Sequence, residues 1–192
     1  MISNSDGVAV MIGYSCAFVI GAIVLVSFWS IAFLKKYSCA KVILFSCFII
    51  YLTLVLAVTF FPLYFDSSLV FPSPIELTPL KTSWLFLKGF LQGYVSPLYA
   101  FSQLFGNVIM TIPFGIMFLF VCPDKVKTFY CSVALLFPLT IEWFQLFLGI
   151  VLTTMYRTFD VDDILLNFIG IIIGYGIHRL LPEKIRKFFY CK

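Results

Sequence analysis

The chain has 192 residues, of which 62% are hydrophobic, 19% aromatic and 11% charged. Its mean hydropathy is +1.07, and its apolar share lies well above the roughly 45–50% of a soluble domain. These values exclude a soluble globular protein, and the net charge of +4 is accounted for by basic residues anchoring at a lipid surface, without a nucleic-acid partner.

A spanning helix needs roughly 20 apolar residues, and five such stretches are predicted, with no room left for a second soluble domain. The first runs from Val8 to Leu34. The residues before it, Met1 to Asp6, carry an acid and no Lys or Arg, and the stretch is too long for a signal-peptide core, so a retained helix is expected. Lys35, Lys36 and Lys41 separate it from the second stretch, Val42 to Phe65. Residues 1–65 thus form two N-terminal transmembrane helices.

Residues 66–99 are the longest connection. Pro72, Pro74 and Pro79 argue against helix in its first part. Trp84 to Leu91 is too short to span and too apolar to float in water, so an interfacial or re-entrant element is predicted.

The third stretch, Ala100 to Cys122, carries Gln103, Asn107, Thr111 and Gly115 at intervals of four, which keeps polar or small groups on one face. Pro113 removes a backbone donor there, and a kink or loosened turn near Thr111 is expected to free carbonyls for a partner. Lys125 and Lys127 precede the fourth stretch, Thr128 to Leu152, where Pro138, Glu142, Gln145 and Gly149 form a stripe. Glu142 lies about ten residues, or ~15 Å, from the end of that helix. A carboxylate so deep in hydrocarbon costs several kcal/mol unless paired or hydrated, and it marks a functional or structural polar site. Arg157 and the amides of Asn107 and Asn167 are its expected partners.

The fifth stretch, Ile164 to Leu181, follows Asp160, Asp162 and Asp163. Asp160 or Asp162 suits the N-cap position. Asn167, Gly170 and Gly174 share a face, and the glycines permit close approach of another helix. His178, near the far end beside Arg179, reads as an anchor sooner than a catalyst and is given no role. Residues 182–192 form a basic tail.

Lys and Arg cluster on one side of this arrangement, which places the N-terminus outside, the tail in the cytoplasm and the Asp160–Asp163 turn outside. The six cysteines show no metal-ligand spacing, so neither a disulfide framework nor a zinc site is expected.

Three segments together resemble the VanZ-like membrane proteins. Asn107 to Gly115 is similar to that family's Asn…Pro-Phe/Leu-Gly signature, Glu142 and Gln145 to its Glu-x-x-Gln element, and Arg157, Asp160, Asp163, Asn167 and Gly170 to its Arg-x-x-Asp-x-x-Asp-x-x-x-Asn-x-x-Gly element. The resemblance covers residues 72–181. One departure is Glu76, in Ile75 to Leu80, where the family pattern has an amide. The resemblance implies a bacterial cell-envelope role of the kind linked to low-level teicoplanin resistance, acting without a change in the peptidoglycan precursor. No established enzymatic activity and no cofactor come with it.

Taken together, the sequence predicts an all-α polytopic membrane protein with an outward-facing polar pocket. Asn107, Glu142, Gln145, Arg157, Asp160, Asp163 and Asn167 build the pocket, and Pro113, Gly115, Gly170 and Gly174 are structural. Its expected partner is a membrane lipid, a lipid-linked cell-wall component or a lipoglycopeptide antibiotic. Two alternatives use the same residues. One is a metal-dependent enzyme acting on a lipid-linked phosphate, with Asp160, Asp162 and Asp163 as oxygen ligands and Glu142 as base. The other is a small transporter or flippase component with Glu142 as a proton relay. No Ser/His/Asp or Cys/His set favours an enzyme, and a purely structural role for the polar residues is the remaining reading.

Overall fold

The computed structural model of the chain describes residues 10–65, 75–122, 127–151 and 158–190. Among the described residues there are seven helices: α1 (Ser15–Leu34), α2 (Cys39–Phe60), α3 (Lys81–Leu91), α4 (Pro97–Val121), α5 (Lys127–Val151), α6 (Val161–Leu180) and α7 (Glu183–Tyr190). Helices α1, α2, α4, α5 and α6 are long and apolar enough to cross a membrane. The molecule is an all-α, polytopic membrane protein, and the wide exposure of residues such as Phe18, Ile23, Leu54, Phe105 and Ile150 is what a lipid-facing surface requires.

Helix starts follow from short polar side chains. Ser38 accepts from the Lys41 amide at the start of α2, and Ser96 does the same for Tyr99 at the start of α4, just before Pro97. Each satisfies an amide that has no partner within its helix. Two short strands, β1 (Val10–Ile12) and β2 (Leu63–Phe65), pair antiparallel and tie the start of α1 to the end of α2. These two helices meet through small groups: Ala17 and Ala57 are buried, and a Cβ on Gly21 would lie 2.3 Å from the Thr53 hydroxyl.

The centre of the bundle is the seam between α4 and α6. Hydrogen bonds link Asn107 to Asp163 and Thr111 to Asn167, each pair 56 residues apart in sequence, so the two helices run parallel in a fixed register. A Cβ on Gly115 would lie 2.2 Å from the Ile171 carbonyl oxygen, one on Gly170 2.3 Å from that of Val108, and one on Gly174 2.2 Å from that of Ile112. With lipid tails as apolar as the side chains, such contact and interhelical hydrogen bonds hold spans together. Helix α5 covers the seam. Phe114 stacks on Phe137 with ring centroids 3.9 Å apart, and the Tyr130 hydroxyl donates toward the carbonyls of Gly115 and Ile171 at 3.0 and 3.3 Å. The Tyr51 hydroxyl donates to the Met110 carbonyl at 2.8 Å, while α4 runs unbroken through Pro113, whose missing N–H would have reached the Ile109 carbonyl.

At this register α4 begins about eight residues, or ~12 Å, before α6 does. Helix α3 fills the step. Phe86 packs edge-on against Tyr99 at 5.7 Å, a Cβ on Gly89 would lie 2.6 Å from Val95, and α3 runs antiparallel along the first turns of α4. The predicted interfacial or re-entrant element is thus a helix folded back on its neighbour. At the opposite end, α7 tucks beneath α4, with Phe189 against Phe120 at 5.2 Å. Phe120 also packs on His178 at 4.3 Å. His178, in the last turn of α6, is turned into the bundle: it is 2% exposed and its Nδ1 lies 3.0 Å from the Ile116 carbonyl.

Candidate functional site

The acids of the sequence gather where α6 begins. Asp160 is the N-cap of α6, and its Oδ1 accepts from the Asp162 amide at 2.8 Å. The amide of Asp160 itself donates to Glu142 Oε2 at 3.1 Å. Asp162 turns the other way. Its two carboxylate oxygens accept from the amides of Leu80 and Ser83, the latter at 2.8 Å, and so cap α3 from another part of the chain. Each carboxylate therefore holds the backbone of the next segment, linking α5, α6 and α3 in series.

This chain of caps has an electrostatic cause. The N-termini of α3 and α6 face one another, and each carries the equivalent of roughly half a positive charge. Asp160, Asp162 and Asp163 supply the compensating negative charge. Asp160 and Asp162 are not a solvated rim: they are 5% and 1% exposed. Capping also accounts for the backbone of Leu80, whose φ of 64° is unfavourable for a bulky residue, because its amide is engaged by Asp162. Two short strands, β3 (Ile75–Glu76) and β4 (Phe159–Asp160), pair in parallel and fix the approach to both helices.

Glu76, the departure from the family pattern, forms an ion pair with Lys81 and accepts from the Thr78 amide at 3.0 Å. The Lys81 ammonium, followed by the hydrogen bonds at Thr78, pulls the Glu76 carboxyl down to about 2. The acid thus closes the turn that leads into α3.

The candidate residues divide between this cap cluster and the α4–α6 seam. Glu142 is 1% exposed and meets Asp160. The Asn107 side-chain amide donates to Asp163 Oδ1, so the amide expected beside Glu142 serves a neighbouring acid. Gln145 points elsewhere, donating to the Thr59 carbonyl at 3.1 Å, and joins α5 to α2. The backbone carbonyl of Asn167 accepts the Thr111 hydroxyl at 2.8 Å, while its side-chain Oδ1 is buried without a hydrogen-bond partner. Arg157 lies outside the described residues. Gly115, Gly170 and Gly174 mark the closest approach of α4 and α6.

A metal ion is not well served by this arrangement. Both oxygens of Asp162 are taken up by amides, and among the described residues no three His, Cys, Asp or Glu side chains converge on a common point. A separate apolar groove of about 440 Å³ runs between α1, α2 and α5, lined by Leu52, Leu56, Phe60, Phe137, Phe144 and Leu148 among others.

Sequence reasoning missed the cap of α3 by Asp162, since nothing in the local pattern links positions 82 residues apart. It also missed Tyr130, whose hydroxyl bridges two carbonyls in the seam; at the start of an apolar stretch a tyrosine reads as an interfacial residue, and nothing local shows that its hydroxyl turns inward.

No curated protein and no solved structure matches the chain. Residues 48–182 match the VanZ/LLP1 family, a span reaching from within α2 through the whole of α6. With the three polar segments, the seam glycines and most of the bundle inside that match, the chain belongs to the VanZ/LLP1 family.

Proposed function

We propose that this is a bacterial cell-envelope protein whose acid-rich end faces outside and engages a lipid headgroup, a lipid-linked cell-wall component or a lipoglycopeptide, contributing in that way to teicoplanin resistance. The reading extends the family resemblance. The observation that carries it is Asn167 Oδ1, a buried acceptor with no donor one helical turn below Asp163. A buried acceptor left empty is costly, and a donor group on a bound ligand would relieve it. The orientation is supported by charge: Lys35, Lys36, Lys41, Arg179 and Lys184 lie at the α7 end, the pattern of a cytoplasmic face.

The test is expression of Glu142→Ala, Arg157→Ala and Asn167→Leu in a susceptible host, with membrane levels measured beside teicoplanin sensitivity. Loss of protection at normal levels is expected. Full protection from all three well-expressed variants would sink the reading. Photo-crosslinking from positions beside Asn107 and Gln145 would identify the bound species.

A second reading is favoured by one specific observation. Both oxygens of Asp162 and the side-chain nitrogen of Gln145 join one segment to another, as helix-linking residues would. On that reading Glu142→Gln lowers protein level and leaves protection per molecule unchanged.

A further inference from the structure

We propose that Arg179 and Arg186 form a binding site for the phosphate of an anionic phospholipid, at the end of the bundle where α7 folds beneath α4 and α6. Arg179 is the penultimate residue of the span α6, so its guanidinium stands where hydrocarbon gives way to headgroups. It lies over the Tyr175 ring, 6.0 Å from the centroid. Arg186 follows on α7, which is held at this end by Phe189 against Phe120, the ring that also contacts His178, the neighbour of Arg179 in sequence.

Among the described residues no carboxylate forms an ion pair with either guanidinium. Glu183, the acid described at this end, is bonded to Lys187 at 3.0 Å. Arg186 Nε is buried and makes no hydrogen bond. A guanidinium offers parallel donors in a fixed fork that matches a phosphate, and a small shift of the side chain would bring Nε and a terminal nitrogen onto two phosphate oxygens.

Helix α7 shows why the phosphate belongs to a lipid. Ile185 and Phe188 are 43% and 59% exposed on a helix that also carries Lys184 and Lys187. Apolar side chains left uncovered beside cations suit a helix lying in the headgroup layer, with its apolar residues reaching the acyl boundary. A soluble phosphate would leave them in water.

The experiment uses the full chain, purified in detergent and returned to bilayer discs of phosphatidylglycerol or phosphatidylcholine. Lipid adducts surviving detergent extraction are counted by native mass spectrometry. Phosphatidylglycerol should be retained about tenfold more strongly than phosphatidylcholine, equivalent to ~1.4 kcal/mol, and Arg179→Gln/Arg186→Gln should remove the preference. Lys184→Gln/Lys187→Gln should keep it, because a diffuse surface field does not depend on the fork. Arg179→Gln alone, at an exposed helix end, serves if the double variant fails to fold. The proposal is overturned by equal retention of the two lipids, by undiminished retention in the arginine variants, or by an equal loss in the lysine variant. Displacement of the lipid by inorganic phosphate would reassign the site to a soluble anion and overturn the lipid assignment.

Discussion

Glu142 on α5 accepts the backbone amide of Asp160, the N-cap of α6, at 3.1 Å. A carboxylate within a spanning helix thereby sets the starting point of the next one. The charge that looked most costly in the sequence is part of how the chain fixes its register.

Replacing Glu142 by Ala should leave the Asp160 amide buried without an acceptor and cost about 1–3 kcal/mol. Glu142→Gln keeps an oxygen at that position and should cost less. Thermal melting of the purified protein in detergent compares the two; equal melting temperatures for the Ala variant and the parent would show that the bond contributes nothing.

The link from α6 to α3 can be cut separately. Asp162→Ala strips acceptors from the Leu80 and Ser83 amides, so α3 should detach from the bundle while the spans stay intact. Limited proteolysis with trypsin should cut faster at Lys81 and Lys88, both in α3. Asp162→Asn, which keeps one acceptor, should fall between the Ala variant and the parent.

The glycines make opposite predictions at two positions. Gly115→Ala forces a methyl group to within 2.2 Å of the Ile171 carbonyl oxygen, and overpacking of this kind costs about 1–3 kcal/mol. At Gly106 an added Cβ meets nothing within 4 Å, so Gly106→Ala should be neutral or stabilising by up to ~1 kcal/mol through helix propensity. Melting measured on both in one detergent decides whether backbone approach or helix propensity governs α4.

The Glu76–Lys81 pair carries a pH signature. The Glu76 carboxyl is held at about 2 against an ordinary 4.5, so the folded form binds its proton less readily than the unfolded chain. The pair's stabilisation is full above the ordinary value and is lost as pH falls from there toward about 2. Exposure and salt screening keep the contribution small. The carboxyl carbon of Glu76, followed by NMR through an acid titration, should have its midpoint well below that of the Lys81→Met variant.

The spans were legible because apolar length alone selects them, and the glycine face of α6 because a spacing of four places Gly170 and Gly174 on one side of a helix. The Asp160 cap was legible for the same local reason. What escaped was partnership at a distance. Asn107 and Glu142 could be placed on inward faces, yet whether the amide met Glu142 or Asp163 depended on the register of α4 against α6, which no local pattern encodes. Asp162 looked like a rim acid until the return of α3 supplied its two amides.

The step between α4 and α6 has a consequence for how this protein sits in a bilayer. Helix α4, at 25 residues, measures about 37 Å, and α6, at 20, about 30 Å. Trp84, Leu85 and Leu91 of α3, each more than half exposed, continue the lipid-facing wall where α6 stops. Helix α3 therefore extends the wall past the start of α6 toward the start of α4, with the two helices joined by the carboxylate of Asp162. The joint leaves the starts of both helices, with their amides capped by Asp160 and Asp162, at the end of the α6 span and beside the first turns of α4.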